Sequence, residues 1–241
     1  MDNIERRDFL KWLAGIAAFG LLTGCEKPPP PKTTTSRNIE YVPATNNGYA
    51  VPYTKPNPQN TMTSAATNNS VPTATFSRAM WGAQPPIMSR MQPMGQITRI
   101  TVHHEGTAKG DNTMDQAAVA RKLQLIQAEH IKRMKAADIG YHVIIDRAGR
   151  VWQGRELKYQ GAHAVSNNPN NVGVMLMGNF DIQQPTAQQM ASLERTLRSL
   201  MRTYNIHSSQ IYGHCDLCKT ACPGQSMRTQ LEPLKRRLVV V

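Results

Sequence analysis

Long hydrophobic runs are missing from this chain of 241 residues. Its most apolar stretch, Phe9 to Leu22, is too short to span a bilayer comfortably, so no membrane-spanning helix is expected. Aromatic residues make up only 6%, and no run interleaves them with basic residues, which argues against a nucleic-acid partner. No internal repeat is visible, so a solenoid or propeller is not expected. No oligomer signal is visible either, and a monomer is expected. Acidic residues are scarce, 16 against 28 Lys and Arg, for a formal net charge of +12. The excess lies in residues 77–241, with 21 basic and 11 acidic side chains. An anionic partner is expected, and a carboxylate-rich cell wall or an acidic lipid surface would serve.

What is present divides the chain in three. Residues 1–24 read as an export signal, with a charged start followed by the short apolar stretch. Arg6-Arg7-Asp8-Phe9-Leu10-Lys11 resembles the twin-arginine pattern. Leu22-Thr23-Gly24-Cys25 resembles a bacterial lipobox, in which Cys25 would become the lipidated first residue. Glu26 follows where an Asp would favour inner-membrane retention, so the expected address is the outer membrane, facing the periplasm. Residues 25–76 are rich in Pro, Thr and Asn, including Pro28 to Pro31. Such a composition buries too little apolar surface to offset its ordering entropy, and reads as a tether with a mean reach on the order of 40 Å.

From Ser77 onward short β-like runs alternate with helical ones, which predicts a mixed α/β domain over 77–241. Ile97–Val102 alternates and reads as a strand. Residues 115–137 read as a helix with Val119, Leu123, Ile126, His130 and Met134 on one face. Tyr141–Asp146, a turn at 147–150 and Val151–Gln153 read as a hairpin. Val172–Met177 is an unbroken apolar run, as expected of a central strand. A helix opening at Pro185-Thr186, a strand near 210–213 and a last helix from Met227 to Arg237 complete the domain.

Three places combine metal-ligand residue types with strand ends: His103-His104-Glu105, His214-Cys215-Asp216 and Cys222-Pro223-Gly224. A His/His/Cys set can supply three ligands to zinc and leave a fourth position for water, as a catalytic zinc needs. Strand alternation allows only one of His103 and His104 to reach such a metal.

The strings ITVHHEG, DIGYHVIIDRAGRVWQGRE, GAHA, NNVGVMLMGNF and GHCDLCKTACPG together resemble the type 2 N-acetylmuramoyl-L-alanine amidases, a family that includes the peptidoglycan recognition proteins. Ser77 to Ala83 resembles the family's opening segment. The resemblance runs from about Arg78 to the final helix. It implies a mixed central β-sheet flanked by helices and zinc held by His103, His214 and Cys222. Tyr141 falls where a hydroxyl assists the reaction, and Thr220 where relatives carry a catalytic Lys or Thr. His163 matches a groove residue near the substrate, and His142 is a candidate contact beside Tyr141, although alternation favours the sheet's far face for it. The implied reaction is hydrolysis of the amide between N-acetylmuramic acid and L-Ala, with peptidoglycan or muropeptides as partner. The rival is a lipid-anchored protein that binds the wall without cutting it.

Other candidates read as structural. His130 is expected in the core, His207 on the surface, and Trp81 and Trp152 in packing. Cys215 and Cys218 depart from the family pattern. Their spacing suits a small disulfide in an oxidising compartment better than a second metal site, which would lack further ligands.

Overall fold

A computed structural model describes Ala74 and residues 76–238. The proposed export signal, Cys25 and nearly all of the tether lie outside the described residues. The architecture is a five-stranded mixed sheet in the order β3-β2-β4-β1-β5, flanked by helices on both faces. The strands are β1 (Arg99–His104), β2 (Val143–Ile145), β3 (Val151–Gln153), β4 (Asn171–Leu176) and β5 (Ile211–Gly213). The helices are α1 (Gln116–Lys132), α2 (Ala187–Tyr204) and α3 (Gln225–Leu238). Among the described residues no helix is long and apolar enough to cross a membrane.

Every residue of β4 is buried, which is why its sequence is apolar without alternation. It pairs in parallel with β1 on one side and β2 on the other, while β5 lies parallel to β1. β2 and β3 form the expected antiparallel hairpin. Its turn is held by Asp146, whose Oδ1 accepts from the backbone N–H of Ala148 and Arg150. Asp146 Oδ2 accepts in addition from the indole of Trp152.

Side-chain alternation sorts the core into two layers. Ile100, Val102, Val172, Val174 and Leu176 pack with Leu193, Leu197 and Leu200 of α2 and Leu231 and Leu234 of α3. Ile144, Met175, Trp152 and Trp81 pack with Val119, Leu123 and Ile126 of α1. The two tryptophans are therefore core residues.

Several predicted boundaries move. β1 starts at Arg99 rather than Ile97, because Thr98 donates to the Asn170 carbonyl ahead of the first ladder pair, Arg99 with Asn171. It then continues through both histidines as β4 runs alongside to Leu176. α1 ends at Lys132, with Lys135 at φ +55°, so Met134 leaves the apolar face and is exposed. β2 is shorter than expected and begins after Tyr141 and His142.

Candidate metal centre

β1, lying between β4 and β5, carries the first candidate ligand to the carboxyl ends of the parallel strands. Val102 is in register with Gly213, so His103 and His214 are the next residues on neighbouring chains. Their ring centroids are 4.5 Å apart. His214 opens a 3-10 turn over His214–Asp216, fixed by the Asp216 carboxylate accepting from the Gly213 N–H at 2.7 Å. The third candidate arrives from a loop after the turn. Cys215 N–H donates to the Cys222 carbonyl at 2.8 Å, closing that loop back on itself. Gly224 follows at φ +88°, where an added Cβ would meet the backbone of Phe180 and Asp181 at 2.6 and 2.9 Å. Only glycine lets the chain turn there against the end of β4.

The result is one nitrogen from each of His103 and His214 and the sulfur of Cys222, all within 4.8 Å of one another. Cys222 Sγ lies 3.6 Å from His103 Nδ1 and accepts from the His104 N–H at 3.4 Å. Burial pushes His103 well below the ordinary histidine range and His214 to about 4, with neighbouring histidines adding to both shifts. Both imidazoles are therefore neutral at pH 7, the form that ligates. Burial, with smaller contributions from Cys215 and Asp181, pushes the Cys222 thiol up. A cation between these atoms would reverse that shift and hold a thiolate. The donor set, two imidazoles and one thiol, fits zinc with one position open.

Tyr141 stands beside this set, 5.3 Å from His103 between ring centroids. Burial, then the nearby Cys222 and Glu105, raises its pKa, so the phenol stays protonated. Among the described residues its hydroxyl has no hydrogen-bond partner, which leaves it available as a donor. Thr220 Oγ1 accepts from the Cys222 N–H at 3.2 Å and so moves with the ligand loop.

Other predicted site residues are placed differently. His104 projects to the opposite face of β1, against Phe180, whose N–H it accepts through Nδ1 at 3.1 Å. His142 is not a groove contact. It is completely buried, with Nδ1 accepting from Gly173 N–H and Nε2 3.0 Å from the Tyr159 carbonyl. His163 is also buried, with Nδ1 3.0 Å from His103 Nε2 and Nε2 3.2 Å from the Asn171 carbonyl. Both of its nitrogens are engaged inside the protein, so it backs the first candidate ligand instead of facing a groove. The Cys215–Cys218 disulfide is not formed. Cys215 is a free thiol beside Asp216, whereas the helical turn directs Cys218 inward to the Val165 carbonyl. His130 is a half-buried acceptor for Gly140 N–H, and His207 is exposed.

Sequence reasoning missed one polar cluster near Tyr141. Lys122 of α1 bridges Glu105, at 2.7 Å, and Asp111, at 3.1 Å, tying the loop after β1 to the helix. The signal was slight: a single lysine on a helix, 17 residues from its partner.

Comparison with known proteins agrees with this architecture. The profile of the N-acetylmuramoyl-L-alanine amidase family matches residues 93–225, more than half the chain, and the chain belongs to that family. Peptidoglycan-recognition protein SC2 of Drosophila melanogaster is 30% identical over 157 residues, covering 65% of this chain and 83% of its own. The crystal structure of Drosophila peptidoglycan recognition protein SD superposes with a TM-score of 0.60 at 25% identity, over 65% of this chain and 91% of its own. The N-acetylmuramoyl-L-alanine amidase LysC from Clostridium intestinale gives a TM-score of 0.53 at 32% identity, over 63% and 91%.

Proposed function

We propose that this chain is a zinc-dependent N-acetylmuramoyl-L-alanine amidase, exported and lipid-anchored through Cys25 to a membrane facing the periplasm. The observation that carries the reading is the convergence of His103, His214 and Cys222 beside an unspent tyrosine hydroxyl. Recognition alone would not require a thiol buried against two neutral imidazoles. When bound, zinc would supply an activated water and a Lewis acid for the amide carbonyl.

The chain's own residues divide the remaining work. His103, His214 and Cys222 hold the ion, and the His104 N–H stabilises charge on the Cys222 sulfur. Tyr141 donates to the carbonyl oxygen as negative charge develops there, an interaction of the kind that contributes about 2.7–4 kcal/mol. Thr220, fixed to the Cys222 backbone, offers a second hydroxyl at the rim. Peptidoglycan or its muropeptides are the substrate, as the names of the relatives suggest.

The test is incubation of the full chain with purified peptidoglycan, with zinc added or chelated, and mass spectrometry for free stem peptides beginning at L-Ala. Release is expected with zinc and is expected to vanish in Cys222→Ala. Intact wall binding by both proteins without release would leave a recognition protein and sink the amidase reading.

A further inference from the structure

His163 is held with more care than a packing residue requires. Its ring lies in a slot between Gly161 and Gly173. An added Cβ on Gly161 would collide with His163 Cδ2, and one on Gly173 would come within 2.5 Å of the same atom. The loop that carries the ring is closed by Asn168 Oδ1, which accepts from the N–H of both His163 and Ala164 at 2.9 Å. Behind the ring, the edge of His142 packs at 5.7 Å between centroids.

The hydrogen bonds of the ring have a direction that cannot be reversed. Its Nε2 meets the Asn171 carbonyl, which can only accept, so Nε2 carries the proton. The ring is buried and its hydrogen-bond partners are the Asn171 carbonyl and another imidazole, with no carboxylate among them to balance a second proton, so it carries a single N–H. Nδ1 of His163 is therefore an acceptor, and the atom facing it, His103 Nε2, must donate. Neutral His103 then presents a bare lone pair at Nδ1, the atom that faces Cys222 Sγ. The sense of the whole chain of bonds is set at its far end by a backbone oxygen of β4.

We propose that His163 is a positioning residue that holds His103 as its Nε2–H tautomer and so aims the Nδ1 lone pair at the metal seat. The proposal rests on the zinc reading above. Without His163, the buried N–H of His103 either loses its acceptor or shifts its proton to Nδ1, where it blocks ligation. Either outcome weakens the metal, and loss of such a supporting partner typically lowers affinity about 10–100-fold.

Two measurements on the full chain test this. Long-range proton–nitrogen NMR of the metal-free protein reads the tautomer directly, and His103 is expected with its proton on Nε2. A proton on Nδ1 would overturn the proposal, whether or not any variant folds. Chelator competition then gives zinc affinity for wild type, His163→Ala and His163→Asn. Asn places an oxygen where Nδ1 stood, so it restores the acceptor without the ring. Affinity is expected to fall about 10–100-fold in His163→Ala and to recover to within a few-fold in His163→Asn. Equal affinity in all three, or an Asn variant as weak as the Ala variant, would overturn it while leaving the zinc site standing. A wild-type chain that binds no zinc would overturn the amidase reading, and this inference with it.

Discussion

Six of the seven histidines are driven below their ordinary pKa with burial as the largest cause. Two of them, His130 and His142, are pushed to about 4, and each accepts a backbone N–H at its Nδ1 atom. Their folded values lie below the unfolded value of 6.5, so the unfolded chain takes up protons first. The stability they support is complete above pH 6.5 and is lost as the pH falls toward 4. Each contributes a slope of up to about 1.4 kcal/mol per pH unit. His130→Asn keeps an acceptor for Gly140 and cannot titrate. Urea unfolding from pH 6.5 down to 4.5 is expected to show a flatter dependence in this variant by up to about that amount.

At this scale the sequence was informative about identity and poor about direction. His103, His214 and Cys222 could be picked out because several ordered strings resemble one family. His163 stood in one of those strings too, yet its ring points away from a groove. What decides this is the absence of side chains at Gly161 and Gly173, two residues before His163 and ten after it, a spacing with no readable pattern. Cys215 and Cys218 had a suggestive spacing, but a spacing does not say that a helical turn sends one sulfur inward and leaves the other beside Asp216.

Among the elements, α2 is the most strongly marked in sequence and in structure. Thr186 caps it, with Oγ1 accepting from Gln189 N–H while the Gln189 side chain returns a bond to Thr186 N–H. Gln189 also donates to the Met177 carbonyl, so the cap anchors the helix to the chain leaving β4. Thr186→Ala is expected to lower unfolding free energy by about 1 kcal/mol, measured by urea denaturation at pH 7. The ends of the other elements were less legible, because partners distant in sequence set them. β1 gains its last two residues from pairing with Met175 and Leu176, and Thr98 near its predicted start donates to the Asn170 carbonyl ahead of the ladder. Helix α1 stops where Lys135 adopts a left-handed backbone, which no glycine announces.

For the molecule as a whole, the family and the layered sheet follow from the sequence, because the apolar runs, the helix faces and the ordered motifs all agree. The proposed anchor and tether belong to the same scale. About 50 residues of tether allow a domain to work on the order of 40 Å from its attachment. Cys25→Ser is expected to move the protein from the membrane fraction to the soluble periplasmic fraction. Its activity on isolated peptidoglycan is expected to stay unchanged, as read by the same peptide-release measurement.

His103 and Cys222 are 119 residues apart in the chain and meet only when β1 has been enclosed between β4 and β5. The seat for the ion is thus a product of completed folding, with no local precursor to capture metal early. This ties the moment of zinc loading to the route of secretion. A polypeptide threaded through a membrane unfolded must acquire its ion on the far side, in competition with every other chelator there. One carried across folded, as the proposed twin-arginine signal would have it, can be charged with zinc in the cytoplasm and arrive ready to cut.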